Sequence, residues 1–200
     1  MTTESLLIVP GSITDMATRN GGHVIPPALC VLFDTSSSML DMDGKLGDGS
    51  IVSRWHAGVE QLTKLQAQYP GQIVLIEFGD DAAVRPGGAP GEPQGLTRIR
   101  PALDLAKELD TGVMRFVVIS DGLPQDEHAA MEIATTFQVG IDTIAIGEAN
   151  NGIDFLKRLA EETGGTYHRD HSGLALLGQT IRALLPGGVA GTGTITPSEG

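Results

Sequence analysis

Residues 28–38 read Ala28-Leu29-Cys30-Val31-Leu32-Phe33-Asp34-Thr35-Ser36-Ser37-Ser38, an apolar run followed by a carboxylate and several hydroxyls. The apolar run predicts a short buried strand. In an open parallel sheet, ligands bind at the carboxyl ends of the strands, which is where Asp34, Ser36 and Ser38 would lie. Carboxylate and hydroxyl oxygens are hard ligands that suit Mg²⁺ or Mn²⁺ better than Zn²⁺. The stretch therefore predicts a divalent-cation site after the first strand.

Two later segments could complete this site. A second apolar run, residues 116–119, ends in Ser120-Asp121-Gly122, so Asp121 is again a carboxylate at the end of a predicted strand. Between the two runs, Thr97 precedes a segment with helical spacing of apolar residues and is expected at a loop-to-helix junction. Each segment alone is a weak signal, but the three in this order favour one common site.

Strands and helices are expected to alternate along the chain. The apolar pattern predicts strands at about 28–34, 73–78, 82–85, 114–120, 141–146 and 166–168, and helices at about 51–68, after Thr97, and at 127–138, 153–162 and 174–185. The turn Gly79-Asp80-Asp81 predicts a hairpin that makes the third strand a short antiparallel edge. This alternation predicts a doubly wound α/β fold, with a mainly parallel six-stranded sheet and helices on both faces.

The chain resembles a von Willebrand factor type A (vWA) domain with a metal-ion-dependent adhesion site. Asp34, Ser36 and Ser38 match the first motif of that family, Thr97 the second and Asp121 the third. Residues 159–165, Leu-Ala-Glu-Glu-Thr-Gly-Gly, match a further signature of the family, and the resemblance covers roughly residues 27–186. The chain looks more similar to stand-alone bacterial or phage vWA proteins than to extracellular adhesion receptors.

The resemblance implies a strand order of 3-2-1-4-5-6 and a bound Mg²⁺, with Mn²⁺ as an alternative. It implies that Ser36 and Ser38 bind the ion directly, that Asp34 and Asp121 act through water, and that Thr97 binds directly or through water. The expected function is metal-dependent protein binding, in which a Glu or Asp of a partner protein completes the coordination shell. No catalytic residue is expected.

The sequence also allows other functions and a second ion site. The chain could be a scaffold subunit whose metal site is vestigial, or, less favoured, a metal-dependent hydrolase, since no histidine falls in the three motif loops to act as a general base. Asp41 and Asp43 could hold a second divalent ion, against the simpler reading of a solvated acidic loop. An EF-hand is excluded because its Gly and Glu positions are occupied by Leu46 and Val52.

Length, charge and composition narrow the possible domain organisation and functional classes further. The 200 residues suit one domain at 27–186, preceded by an arm at 1–26 and followed by a flexible Gly/Thr-rich tail at 187–200. A net charge of −12 argues against nucleic-acid binding, which needs basic patches. No apolar run is long enough to span a membrane, no secretory signal is visible, and Cys30 is the only cysteine and is expected in the core. The expected location is therefore the cytoplasm.

Overall fold

The structure is a computed structural model that describes residues 27–46, 48–86, 88–147 and 152–169. The predicted arm at 1–26, helix at 174–185 and tail at 187–200 lie outside the described residues. The predicted domain boundaries therefore stay predictions.

The fold is a mixed α/β sheet of six strands. The strands are β1 (Leu29–Asp34), β4 (Ile73–Phe78), β5 (Ala82–Val84), β6 (Arg115–Ser120), β7 (Ile141–Ala145) and β8 (Tyr167–Arg169). β1 pairs in parallel with both β4 and β6, and β6, β7 and β8 continue the parallel arrangement. β5 is antiparallel to β4 and lies at the edge, as the hairpin at residues 79–81 predicts.

The order across the sheet is β5-β4-β1-β6-β7-β8. The labels differ from the predicted order 3-2-1-4-5-6 because two short strands, β2 (Gly44–Lys45) and β3 (Ile51–Val52), were not predicted. They form a separate antiparallel hairpin. Counted among the six sheet strands alone, the order is third, second, first, fourth, fifth, sixth. β1 and β6 are parallel neighbours in the middle of the sheet, so their carboxyl ends lie side by side.

In the described part of the chain, four α-helices connect the strands, namely α1 (Arg54–Gln68), α2 (Arg100–Lys107), α3 (Glu127–Ala134) and α4 (Ile153–Thr163), and a 3₁₀ helix covers Ser37–Leu40. The prediction that the first helix begins at Ile51 is wrong. It begins at Arg54 because Ser53 caps it, its hydroxyl accepting a hydrogen bond from the His56 amide at 3.1 Å. α3 ends four residues before the predicted Gln138, whose amide donates to Asp110 at 2.7 Å instead of to a helix carbonyl.

The core has two layers, one on each face of the sheet. Side chains of β1 alternate between them: Cys30 and Leu32 face α2, α3 and α4, whereas Val31 and Phe33 face α1. Helices therefore cover both faces, as predicted. Cys30 is fully buried, and burial raises the pKa of its thiol, so it stays protonated and acts as a core side chain.

Two adjacent glycines at the end of α4 provide a matched stability test. Gly164 ends the helix in the left-handed conformation, with a φ of 78°, and a β-carbon there would contact nothing. A β-carbon on Gly165 would lie 2.1 Å from the Ile141 carbonyl oxygen. We expect Gly164→Ala to lower the free energy of unfolding by about 1 kcal/mol, the cost of its backbone conformation. Gly165→Ala should cost about 3 kcal/mol, because a backbone atom of β7 must move.

Urea unfolding of the two variants beside the wild type measures this difference. A Gly164→Ala loss equal to or larger than that of Gly165→Ala would contradict the close contact between this turn and β7.

Candidate metal site

The first loop of the site is organised by Asp34, the last residue of β1. Its side chain is fully buried. Oδ1 accepts a hydrogen bond from the Ser36 amide at 2.7 Å, and Oδ2 accepts one from the Ser120 hydroxyl at 2.5 Å. Asp34 therefore shapes its own loop and ties it to the end of β6. Ser120 is a contributor that the sequence analysis missed, because only the adjacency of β1 and β6 brings the two residues together.

Hydroxyl and carboxylate oxygens converge beside Asp34. The hydroxyls of Ser36 and Ser38 are 3.1 Å apart, and the Ser38 hydroxyl donates to Oδ1 of Asp121 at 2.8 Å. Ser36 and Asp121 are buried, whereas Ser38 is partly exposed. The group is therefore buried at its base and opens towards solvent at Ser38.

The spacing of these oxygens fits a small hard cation. Neighbouring ligands of an octahedral Mg²⁺ with bonds of 2.0–2.1 Å are about 2.9 Å apart. The separation of 3.1 Å between the Ser36 and Ser38 hydroxyls is close to that value. The donor set of hydroxyls and carboxylates is also the kind that Mg²⁺ and Mn²⁺ prefer. The residues present therefore fit the ion expected from the sequence.

Thr97 and Ser38 both lie close to Gly122. A β-carbon on Gly122 would lie 3.7 Å from the Thr97 hydroxyl oxygen and 3.9 Å from that of Ser38, so both hydroxyls border this position. The Thr97 amide donates to Oε1 of Gln125 at 2.9 Å, and the Gln125 amide donates to the Thr97 carbonyl at 3.0 Å. Gln125, which the sequence analysis did not single out, thus fixes Thr97 to the loop after β6.

The Thr97 loop is also tied to the first loop. The Gln94 amide donates to the Thr35 carbonyl at 2.8 Å, and the Ser37 amide donates to the Gly95 carbonyl at 3.2 Å. Oδ1 of Asp80, in the turn after β4, accepts from the Leu96 amide at 3.0 Å. The structure therefore brings all five predicted residues to one place and fixes their three loops to each other.

A buried arginine forms the least expected part of the site. Arg54, at the start of α1, is 4% exposed. Its Nη1 donates to Oδ2 of Asp121 at 2.7 Å and lies 3.2 Å from Oδ2 of Asp41. Its Nε and Nη2 bind both oxygens of Asp43, each at 2.6 Å. Hydrogen bonding to Asp43 and to Asp121 raises the pKa of the guanidinium despite the cost of its burial.

The ion pairs of Arg54 occupy the two aspartates that could have held a second divalent ion near Asp41. Both aspartates of that acidic loop, Asp41 and Asp43, bind the guanidinium. A second cation would have to displace Arg54 from them. In the described ranges 27–46, 48–86, 88–147 and 152–169, no group of three or more His, Cys, Asp or Glu side chains is arranged to hold a metal ion. The candidate site instead combines two aspartates with three hydroxyl side chains.

Burial also makes Asp34 costly to ionise. It raises the pKa of this carboxyl from 3.8 to about 6, against the opposing effect of the hydrogen bonds from Ser120 and Ser36. Asp34 is therefore ionised at neutral pH, but its charge costs more free energy in the metal-free folded protein than in the unfolded chain. A bound cation would offset this cost.

This pKa predicts a pH dependence of stability in EDTA. As pH rises from about 4 to 6, the unfolded chain loses the Asp34 proton first while the folded protein retains it. The contribution of Asp34 to stability therefore falls over this range, by about 2 kcal/mol, and is constant above it. Asparagine cannot titrate, so the free energy of unfolding of Asp34→Asn minus that of the wild type should rise between pH 4 and 6 and then level off. Urea unfolding across this range measures it, and a pH-independent difference would contradict the raised pKa.

Comparisons with known proteins support the fold. A scan against protein-family models and a search of curated proteins found no match to the sequence. Among solved structures, the SpRpn10 VWA domain is similar, with a TM-score of 0.52, 17% sequence identity, and coverage of 80% of this chain and 95% of that chain. A D319A mutant of the PilB minor pilin from Streptococcus sanguinis gives a TM-score of 0.60 at 14% identity over 80% of this chain. This chain covers 60% of the length of the pilin structure.

At these identities the comparisons show the fold alone, which is vWA-like. In the part of the chain that the structure describes, no helix is long and apolar enough to cross a membrane.

Proposed function

We propose that this chain is a metal-dependent protein-binding module. Asp34, Ser36, Ser38, Thr97 and Asp121 hold one Mg²⁺, or Mn²⁺, and an acidic side chain of a partner protein completes its coordination. The observation that supports this most is the convergence of the Ser36, Ser38 and Asp121 oxygens where the chain leaves β1 and β6.

The contacts of the five residues in the metal-free protein indicate which of them bind the ion directly and which bind it through water. Both oxygens of Asp34 and both of Asp121 already accept hydrogen bonds from the protein, which suits carboxylates that act on the ion through water. The serine hydroxyls, with Ser38 partly exposed, are the direct ligands. Because these ligands are neutral, the bound ion supplies a positive charge that attracts a carboxylate.

One ion is proposed, with Arg54 as the fixed positive charge beside it. The guanidinium neutralises part of the charge of Asp41, Asp43 and Asp121. This leaves less negative charge at the site to repel an incoming carboxylate. A second divalent ion near Asp41 is therefore not part of the proposal.

Binding, and not catalysis, is proposed because the three motif loops contain no histidine that could act as a general base. The two site carboxylates, Asp34 and Asp121, are assigned to holding the ion through water and to fixing the loops, through their bonds from Ser36, Ser120, Ser38 and Arg54. No catalytic residue is therefore proposed.

Short synthetic peptides with a central Glu test the function, each paired with the same peptide carrying Gln. We expect the Glu peptides to bind at least tenfold more tightly than their Gln partners in Mg²⁺, and this preference to disappear in EDTA. Fluorescence anisotropy of labelled peptides measures both. If the protein binds Mg²⁺ but shows no preference for Glu, the metal site does not recognise an acidic side chain. A scaffold protein with a vestigial site predicts this result.

A further inference from the structure

Exposed apolar side chains are concentrated around the candidate metal site. Among the described residues, six large apolar side chains are exposed, namely Leu40, Met42, Ile51, Leu96, Val113 and Leu123. Four of them, Leu40, Met42, Leu96 and Leu123, belong to loops that build or border the site, and Ile51 lies in β3, just before Arg54. Val113 lies two residues before the start of β6 and so at the opposite end of the sheet. A scattered distribution would need no explanation, but a concentration at one end of the molecule does.

Sequence position and contacts place these residues at the site. Leu40 ends the 3₁₀ helix that contains Ser38, Leu96 precedes Thr97, and Leu123 is the second residue after Asp121. Each of the three motif loops therefore carries one exposed leucine.

Met42 and Ile51 lie close in sequence to residues of the Arg54 ion-pair network, which includes Asp121 of the candidate site. Met42 lies between Asp41 and Asp43, and both of these bind the guanidinium that also binds Asp121. Ile51 is in β3, which pairs with β2 and directly precedes the helix that begins at Arg54. We refer to Leu40, Met42, Ile51, Leu96 and Leu123 as the apolar rim.

The apolar rim has a physical role in a site that binds a charged group. Apolar side chains around a central polar contact exclude water from it when a partner covers them. Loss of water lowers the local dielectric constant and strengthens the attraction between opposite charges. A lone carboxylate would leave the rim exposed to water, whereas a segment with apolar residues beside its carboxylate would cover it.

From this arrangement we propose that the partner is a protein segment in which an acidic residue is flanked by large apolar residues. The acidic residue binds at the ion and the apolar residues bind on the rim. This inference rests on the proposed function and adds the chemical class of the partner segment. Charge complementarity selects the central residue, and the rim selects its neighbours.

The test compares three labelled peptides in Mg²⁺ by fluorescence anisotropy. They carry Glu flanked by Leu, Glu flanked by Ser, and Gln flanked by Leu. We expect the Leu-flanked Glu peptide to bind about tenfold more tightly than the Ser-flanked Glu peptide, from partial burial of the added apolar side chains. The Gln peptide should bind weakly despite its leucines.

Rim variants locate the effect on the protein. Leu96→Ser and Leu123→Ser should each weaken binding of the Leu-flanked Glu peptide several-fold and leave the Ser-flanked peptide unaffected. Val113→Ser is the matched control, since Val113 is 82% exposed at the other end of the sheet, and should change neither. Calorimetric titration with Mg²⁺ on the same variants should give the wild-type affinity, because none of these side chains is a proposed ligand.

The possible negative results of these binding experiments distinguish the apolar rim from the metal-dependent binding itself. Equal binding of the two Glu peptides, with both preferred to Gln, would overturn the role of the rim and keep the proposed function. Loss of the Glu-over-Gln preference would overturn both. Residues 4–9 of this chain, Glu-Ser-Leu-Leu-Ile-Val, themselves combine an acidic residue with apolar ones. If a peptide of residues 1–10 binds more tightly than the Leu-flanked Glu peptide, the occupant is this chain itself and the partner assignment is overturned.

Discussion

We expect the replacement of Asp34 with Asn to weaken Mg²⁺ binding about 100-fold and to leave the metal-free protein folded. The size follows from the usual effect of losing a residue that orients the ligands of a metal. Asn keeps the shape of Asp34 and can still accept from the Ser36 amide, but it has no negative charge to balance a cation. Because burial makes the charged form costly, the variant should be at least as stable as the wild type in EDTA at pH 7.

Isothermal titration calorimetry with Mg²⁺ and urea unfolding in EDTA measure the two halves of this prediction. Asp142→Asn is the matched control, since Asp142 is also a buried aspartate but lies near the start of β7, where it pairs with Arg115 and accepts from the Thr166 amide. It should bind Mg²⁺ like the wild type. A marked loss of stability in Asp34→Asn, with Mg²⁺ affinity unchanged, would mean that Asp34 is a structural residue.

We expect the replacement of Arg54 with Met to lower the free energy of unfolding in EDTA by about 3–5 kcal/mol. Removing one member of a buried ion pair leaves the other charge uncompensated, which is the costly way to break such a pair. Here the side chain of Asp121 is fully buried and would keep only its hydrogen bond from Ser38, and Asp43 would lose both bonds to the guanidinium. Mg²⁺ should stabilise this variant more than it stabilises the wild type, because a cation then replaces the missing positive charge.

Thermal unfolding with Mg²⁺ and with EDTA measures this response. Lys64→Met is the control from the same helix, because Lys64 forms an exposed pair with Glu60 and its loss should cost about 0.5 kcal/mol or less. The stability of Arg54→Lys should lie between those of the wild type and Arg54→Met. Lysine keeps the positive charge but cannot make the bidentate contact with Asp43. A variant Arg54→Met that is as stable as Lys64→Met would show that the guanidinium does not hold the site together.

The sequence predicts the frame of the site well because that frame depends on local pattern. Apolar runs ending in Asp34 and Asp121 define two strands, and the rule that parallel strands present ligands at their carboxyl ends places both residues at one edge. The hydroxyls of Ser36 and Ser38 follow from the same stretch, two and four residues later. These are short-range features, and the structure places the five predicted residues together.

The rest of the site depends on contacts between residues far apart in the chain. Arg54 binds Asp121 across 67 positions, and Ser120 binds Asp34 across 86. No local spacing predicts such pairs. Arg54 in particular reads as an ordinary residue within a predicted helix starting at Ile51. The β2–β3 hairpin was missed for a related reason, since strands of two residues are too short to produce a pattern of alternation.

The proposed metal site is tested most directly by a crystal structure of the protein soaked in Mn²⁺, with the ion located by its anomalous scattering. We expect one strong peak bonded to the hydroxyl oxygens of Ser36 and Ser38, with Asp34 and Asp121 around it and Arg54 still paired with Asp43. Absence of a peak at saturating Mn²⁺, or a peak bound to Asp41 and Asp43 in place of the guanidinium, would contradict it.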